Sequence, residues 1–300
     1  TVEVNGETIT GKNLILATGS YSRTLPTLPI EGRVITSEQA LQMEWIPSHA
    51  IILGGGVIGS EFASAWKSFG SEVTIVEGLP HLVPNEDEII SKNLERAFRK
   101  RGIKFHLNTR FAGVTQDEGG VHVSTEDGKT IDGDLLLVAI GRGPVTQDLG
   151  FEAIGVTLDR GFVITDDKCR TGIPGVYAVG DIVPGLQLAH RGFVQGIMVA
   201  EEIAGLNPEP VDENTIPRVT FTEPEIASVG LTEAQAKEQY GADKIKTVDY
   251  NLAGNGKSNI LGTAGLIKLV CVEDGPIVGF NAIGSRVSEL IGEGELIFGW

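Results

Sequence analysis

The stretch Ile51-Ile52-Leu53-Gly54-Gly55-Gly56-Val57-Ile58-Gly59-Ser60-Glu61 joins two patterns. Residues 50–53 are an apolar run that predicts a buried strand. It passes directly into glycines at 54, 56 and 59. Behind them Val57, Ile58, Phe62, Ala63, Ala65, Trp66 and Phe69 recur at three- and four-residue intervals, the period of a helix. Strand, glycine turn and helix in that order give each glycine a separate task. Gly54 permits a tight turn out of the strand. Gly56 lets the backbone approach a bound group without a Cβ in the way. Gly59 lets the helix pack closely on the strand. The free N–H groups and positive dipole end of that helix favour an anion, and the spacing is that of a pyrophosphate-binding turn. In 300 residues containing 40 glycines the spacing alone says little. The succession of elements gives it weight.

Moving outward, residues 72–77 read as a second strand ending in an acid. Glu77 lies 18 residues beyond Gly59, near the roughly 20 expected of an acid that binds an adenosine ribose. A carboxylate there accepts from the 2′- and 3′-hydroxyls and repels a 2′-phosphate. Gly78-Leu79-Pro80-His81 brings no arginine to neutralise such a phosphate, so the charge logic favours NAD over NADP. A solvated acid at a strand end is the plainer alternative. Residues 87–101 predict an amphipathic helix with acids early and cations late, stopped by Gly102. A strand over 103–107 and an antiparallel meander over 111–131 follow, with turns at 118–120 and 127–128. The apolar strand 134–140 returns to the sheet and ends in Gly141-Arg142-Gly143-Pro144. The order is that of a doubly wound α/β domain.

The flanks are different. Residues 2–10 predict a hairpin about Asn5-Gly6. A strand over 14–17 ends in Thr18-Gly19-Ser20, which suits either a ligand near the backbone or a tight strand exit. Ser37 is a candidate cap for a short helix. A strand over 176–179 ends in Gly180-Asp181. Leu188-Ala189-His190 leads into a helix from about 192 to 204. This block is too small for a core of its own and calls for a partner sheet. Beyond residue 215, five strand-like runs and two helical ones predict an α+β unit. Thr232 and Gln235 form a capping box on the helix 232–240, and the last helix spans 287–300.

Lys and Arg total 24 against 40 Asp and Glu, a net charge of −16. That acidity argues against nucleic acid or an anionic membrane as the main partner. No apolar run is long enough for a transmembrane helix, and no signal-peptide pattern opens the chain. Two cysteines, Cys169 and Cys271, are too few for a disulfide framework. A soluble, cytoplasmic protein is expected. The chain starts in a strand and stops within a helical pattern, so an internal piece of a longer protein is expected too.

Several motifs in order resemble one family. They are Thr18-Gly19-Ser20, the glycine loop through Glu61, Glu77, Val138-Ala139-Ile140-Gly141-Arg142-x-Pro144, Tyr177-Ala178-Val179-Gly180-Asp181, Leu188-Ala189-His190 and Phe221-Thr222-x-Pro224-x-Ile226-Ala227-x-Val229-Gly230. The family is the class I pyridine nucleotide-disulfide oxidoreductases, and the nearest members are those that oxidise dihydrolipoamide. The resemblance implies an α/β fold with a Rossmann-like NAD domain (46–143) inserted in a partial FAD domain (1–45 and 144–212). A truncated α+β dimerisation domain (213–300) follows, implying a homodimer. It implies FAD and NAD as cofactors. NAD would be held by Gly54, Gly55, Gly56, Val57, Ile58, Gly59, Ser60 and Glu61, with Glu77 on the ribose, Phe111 on the adenine side and Gly141 by the nicotinamide half. FAD would be held by Thr18, Gly19, Ser20, Asp181, Gln187, Leu188, Ala189 and His190, the last segment acting largely through backbone at a helix N-terminus. Lipoyl-bearing subunits of 2-oxo acid dehydrogenase complexes would be partners.

In the family a Cys-x4-Cys disulfide and a histidine-glutamate pair carry the thiol chemistry, because thiolate is the nucleophile and histidine exchanges protons near neutrality. This sequence has no Cys-x4-Cys, no glycine motif ahead of Thr1 and no His-Pro-Thr segment. No catalytic residue and no metal site is therefore expected in it. The chain alone is expected to lack lipoamide turnover. Other flavin disulfide reductases of mercuric or glutathione type, a soluble transhydrogenase, and a non-catalytic NAD-binding module are the alternatives.

Overall fold

The structure, a computed structural model, describes residues 1–298. The chain forms two compact units. One comprises residues 1–21 and 142–216; the other runs from 22 to 141 and from 217 to the end of the described residues.

The larger unit is built on a parallel sheet of five strands, in the order Val34–Thr36, Leu135–Val138, His49–Leu53, Glu72–Val76, Lys104–His106. A parallel sheet covered on both faces needs apolar side chains on both. The strand His49–Leu53 shows this by alternation. Ile52 packs with Ala63, Trp66, Leu94 and Phe98 on the helical side. Ile51 packs with Val121, Val123 and Leu136 on the other. Helices Val57–Ser68 and Glu88–Arg101 belong to the first face, and the antiparallel meander Phe111–Gln116, Val121–Thr125, Thr130–Gly133 to the second. The edge strand Val34–Thr36 gave no sequence signal. It supports a short helix, Ser37–Ala40, whose N-cap is Thr36 and not Ser37, since the Gln39 side chain accepts from the Thr36 backbone.

The same unit carries an antiparallel sheet in the order Arg218–Thr220, Glu225–Gly230, Ile277–Gly284, Leu266–Val272, Ile245–Asn251. Thr232 and Gln235 close the reciprocal cap on helix Glu233–Tyr240. A helix over Gly256–Leu261, too short to show a period, starts on the Asn255 side chain. The last helical segment is a 3₁₀ turn, Val287–Leu290, followed by helix Ile291–Ile297. Phe298, expected to be helical, is instead the extended C-cap of that helix. Gly299 and Trp300, the last residues of the predicted helix, lie outside the described residues. Ile226, Leu266 and Ile283 of this sheet join the same core as the helical face of the parallel sheet. A buried ion cluster adds to that junction. Lys268 bonds both carboxylate oxygens of Asp87, at 2.9 and 3.1 Å, and Glu233 at 2.5 Å. Burial alone would lower the Lys268 pKa; the bonds to Glu233 and Asp87 outweigh it and hold the ammonium above the ordinary lysine value.

The smaller unit opens with the expected hairpin, pairing Val2–Val4 with Glu7–Ile9. Asn5 (φ +52°) and Gly6 (φ +81°) take the left-handed turn positions. Leu14–Leu16 and Val176–Ala178 pair in parallel. Leu16, Phe151, Val156, Val163, Ala178 and Ile182 form a small core. Its helix spans Ala189–Ile203, beginning three residues before the predicted start. Phe193 and Ile197, one turn apart on that helix, are exposed.

Leu137 is fully buried in the core on the helical face of the larger unit's parallel sheet. Leu137→Ala removes that packing and leaves a cavity, so the expected cost is about 2–5 kcal/mol. Urea unfolding checks it: the midpoint should fall with little change in slope.

Candidate functional site

The glycine loop sits at the switch point of the parallel sheet. From His49–Leu53 the chain moves through one helix to Glu72–Val76 on one side, while Leu135–Val138 returns on the other. Ligand crevices in open α/β sheets form there, beyond the carboxyl ends of the strands. Gly54 turns with φ +104°, and a Cβ on it would lie 2.4 Å from the Ala139 carbonyl oxygen. A Cβ on Gly59 would lie 1.9 Å from the Gly54 carbonyl oxygen. Neither position admits a side chain. Gly56 differs: nothing lies within 4 Å of where its Cβ would be. Two glycines are thus spent on packing, and the third leaves an open face over the helix N-terminus. Helix Val57–Ser68 has no acid in its first turn to compete for the free N–H groups.

Gly55 is the most tethered residue of the loop. Its N–H donates to Glu77 Oε2 at 2.5 Å. Its carbonyl accepts from Val83 N at 2.8 Å and from Ser60 Oγ at 3.1 Å. Ser60 is buried, so its side chain shapes the loop from behind. Val57 is exposed and Ile58 half-buried. The other Glu77 oxygen accepts from Leu79 N at 2.7 Å. The Glu77 side chain is therefore fixed at the strand end beside the loop. Each of its oxygens keeps a lone pair for a further donor.

Glu61 lies one turn along the helix and turns toward the antiparallel sheet. It accepts from Phe221 N at 2.7 Å. Burial pushes its carboxyl above the usual range, opposed by that bond. Sequence reasoning put Glu61 with the loop and missed this tie. Gly141, φ +113°, is open where a Cβ would be, and its carbonyl accepts from Arg23 N at 2.9 Å. It is two residues past Ala139, against which Gly54 packs. Phe111 begins the meander, half-buried against the Ile51 face of the sheet.

In the smaller unit the two parallel strands end side by side, and their polar ends meet. Ser20 Oγ donates to Asp181 Oδ2 at 2.5 Å and accepts from Arg142 Nε at 2.6 Å. Arg142 also donates to the Ser20 carbonyl at 2.7 Å. Thr18 Oγ1 donates to the Val145 carbonyl at 2.5 Å, and Val145 N returns to the Gly19 carbonyl. At Gly19 (φ +76°) and Gly180 (φ +74°) a Cβ would meet nothing within 4 Å, so both strand exits are clear. Gln187 donates to the Asp181 carbonyl at 3.3 Å, and Leu188 is the N-cap of the helix that places Ala189 and His190 in its exposed first turn. Sequence reasoning missed two supports on that helix. Buried Gln195 accepts from Gly180 N at 2.8 Å. Buried Arg191 is forked onto Glu213 at 2.7 and 2.8 Å and reaches the Pro184 carbonyl. The available signal was two polar side chains four apart, in register with apolar Met198 and Val199.

Both cysteines are free thiols. Burial pushes the Cys169 thiol up to about 11 and raises that of Cys271 too. A thiol held protonated is a poor nucleophile.

Residues 1–196 match the family described as pyridine nucleotide-disulphide oxidoreductase, and residues 216–300 match that family's dimerisation domain. The chain belongs to the class I pyridine nucleotide-disulphide oxidoreductases, whose cofactors are FAD and NAD. It is 41% identical over 298 residues to a dihydrolipoyl dehydrogenase of Bacillus subtilis, covering 97% of this chain and 63% of that relative. It is 39% identical to a dihydrolipoyl dehydrogenase of Cupriavidus necator, with the same coverage. Among solved structures it is similar to LpdA from Mycobacterium tuberculosis, with TM-score 0.87 and 33% identity over 94% of this chain and 62% of that one. The HOCl-induced flavoprotein disulfide reductase RclA from Escherichia coli gives TM-score 0.87 at 30% identity, over 96% of this chain and 67% of that one. The chain spans about 63% of the length of the curated relatives named here. Among the described residues no helix is long and apolar enough to cross a membrane.

The two kinds of glycine separate experimentally. Gly56→Ala has room and an ordinary φ of −68°. It should fold with wild-type stability and weaken NADH binding at least tenfold in a fluorescence titration. Gly59→Ala should lower thermal stability, because its methyl meets backbone that cannot move aside. For the thiols, iodoacetamide at pH 7.5 should label Cys169 at the rate of global unfolding. Labelling within minutes in the native state contradicts the buried, protonated thiol.

Proposed function

We propose that this chain is the nucleotide-binding and dimerisation part of a flavin-dependent disulfide oxidoreductase that oxidises protein-bound dihydrolipoyl groups with NAD⁺. Overall, the dithiol closes to a disulfide, and its electron pair and one proton pass to NAD⁺, giving NADH and a released proton. The observation that carries the reading is the glycine loop at the sheet's switch point, with Gly56 open, Gly55 fixed and Glu77 at its side. The relatives' names supply the reaction class.

The loop fits a pyrophosphate. An anion over Gly56 meets the first-turn N–H groups of helix Val57–Ser68. Glu77 then accepts from the ribose hydroxyls with its unused lone pairs, and its charge disfavours a 2′-phosphate. Gly141 leaves a flat backbone surface at the same sheet end for the nicotinamide half. In the smaller unit Asp181 and the N-terminus of helix Ala189–Ile203 suit a flavin's hydroxyl-rich chain and its electron-rich ring edge. FAD, when bound, supplies two-electron transfer between the dithiol and the nicotinamide. Ser20, itself held by Arg142, holds Asp181 in place, and Gln195 holds Gly180.

Neither Cys169 nor Cys271 has the lowered pKa that thiol exchange needs, so we assign that step to residues outside this chain. Residues 1–45 with 144–212 are assigned to FAD, 46–143 to NAD and 213–300 to a homodimer contact. Lipoyl-bearing subunits are the macromolecular partners in this reading.

The nucleotide preference tests it. Glu77→Gln keeps an acceptor toward the Gly55 amide but removes the charge. The NADH to NADPH affinity ratio, from equilibrium titrations, should fall at least fivefold. An unchanged ratio, or a wild-type chain that prefers NADPH, contradicts the reading.

A further inference from the structure

Between Glu77 and the helix Glu88–Arg101 the chain runs as a strap beneath the glycine loop. Leu79 N is held by Glu77, and Val83 N by the Gly55 carbonyl. Leu82, fully buried, lies so close to Gly55 that a Cβ there would be 2.5 Å from Leu82 Cδ2. Val83 is strained. It is β-branched, buried, followed by Pro84, and has φ +43°. Such a residue enters the left-handed region only where its surroundings over-determine it. Its carbonyl accepts from Glu86 N at 2.9 Å and from Ser91 Oγ at 3.2 Å.

The far end of the strap is anchored in the antiparallel sheet. Asp87, buried, caps its own helix through Ile89 N and accepts from Glu233 N at 2.9 Å and from both approaches of Lys268. Beside it, Glu86 accepts from Ser228 Oγ at 2.7 Å and faces Arg218 at 3.7 Å. The Lys268 ammonium lies between the Asp87 and Glu233 carboxylates, beside the bond that the Glu233 N–H makes to Asp87.

We propose that Lys268 is a positioning residue for the nucleotide loop: through Asp87 and the strained Val83 it fixes Gly55. The inference rests on the NAD reading for its consequence but not for its structural content. Without the Lys268 charge, the buried Asp87 carboxylate faces the half-buried Glu233 carboxylate with no cation between them. The Asp87 end of the strap then moves apart, the strain at Val83 relaxes, and the Val83 N–H to Gly55 bond opens. The loop that presents its backbone to pyrophosphate loses its shape, although no residue touching the nucleotide has changed.

The test compares Lys268→Met with Lys268→Arg and with Val270→Ala, a core change two residues along the same strand. The first readout is amide hydrogen exchange over residues 53–60 and 81–83. The second is NADH affinity. Lys268→Met should raise exchange in both segments at least tenfold and weaken NADH at least tenfold. Lys268→Arg should restore most of both, and Val270→Ala should change neither segment. If Lys268→Met does not fold, Asp87→Asn keeps the helix cap, weakens the ion pair and should give the same pattern to a smaller degree. Wild-type exchange in both segments of Lys268→Met or of Asp87→Asn overturns the proposal. So does an increase that Val270→Ala reproduces. A wild-type chain that does not bind NADH overturns the nucleotide reading instead, and the exchange data then decide the positioning role alone.

Discussion

Gly59 lies directly under the carbonyl of Gly54, closer than any side chain would allow. That contact sets the helix Val57–Ser68 against the strand end and aims its first turn at the space above Gly56. The neighbouring bonds follow from it. With helix and strand so close, Gly55 bulges toward Glu77, and its N–H, leaving water, must find an acceptor; the carboxylate supplies one. Its carbonyl turns the other way and is met by Val83 and Ser60. A methyl at Gly59 would disturb this set together, because the tethers share one backbone turn.

What could be read in advance follows the range of the physics. The glycine loop was legible because its information is local: absence of a side chain at three positions, an apolar run before them and a helical period after them. Glu77 was legible as an acid at a strand end, and Thr232 with Gln235 as a reciprocal cap, for the same reason. The clamp of Glu77 on Gly55 was not, since it depends on the loop's folded curvature. The Lys268 to Asp87 pair joins residues 181 apart, with no local pattern on either side. The left-handed Val83 runs against local preference, so sequence reasoning points away from it. Thr36 and Ser37 are equally good caps, and only the reach of Gln39 decides between them.

The smaller unit obeys a different constraint. Two parallel strands make few ladder bonds, and parallel pairs are stable mainly when buried on both faces. Here the packing comes from the hairpin of Leu158–Asp159 and Phe162–Val163, from loop residues Phe151 and Val156 and from one helix, and that helix leaves Phe193 and Ile197 to solvent. The polar cluster at the strand ends is nevertheless tightly made. Ser20 bonds both Asp181 and Arg142, and Gln195 and Arg191 brace Gly180 and Pro184. The order at this end therefore derives from hydrogen bonds more than from core, which suits a surface shaped for a polar ligand.

On the proposed NAD reading, a chain with net charge −16 must attract an anion against its own field. No lysine or arginine lies in residues 54–61 to do so. The attraction has to come from backbone N–H groups and the helix end, whose effect fades within about one turn. A short-range attraction tolerates little misplacement: donors must already point at the phosphates, because no long-range pull will gather the ligand and let the loop adjust around it. That requirement accounts for a loop tethered at Gly55 from three directions, and for a supporting strap that keeps a strained valine beneath it.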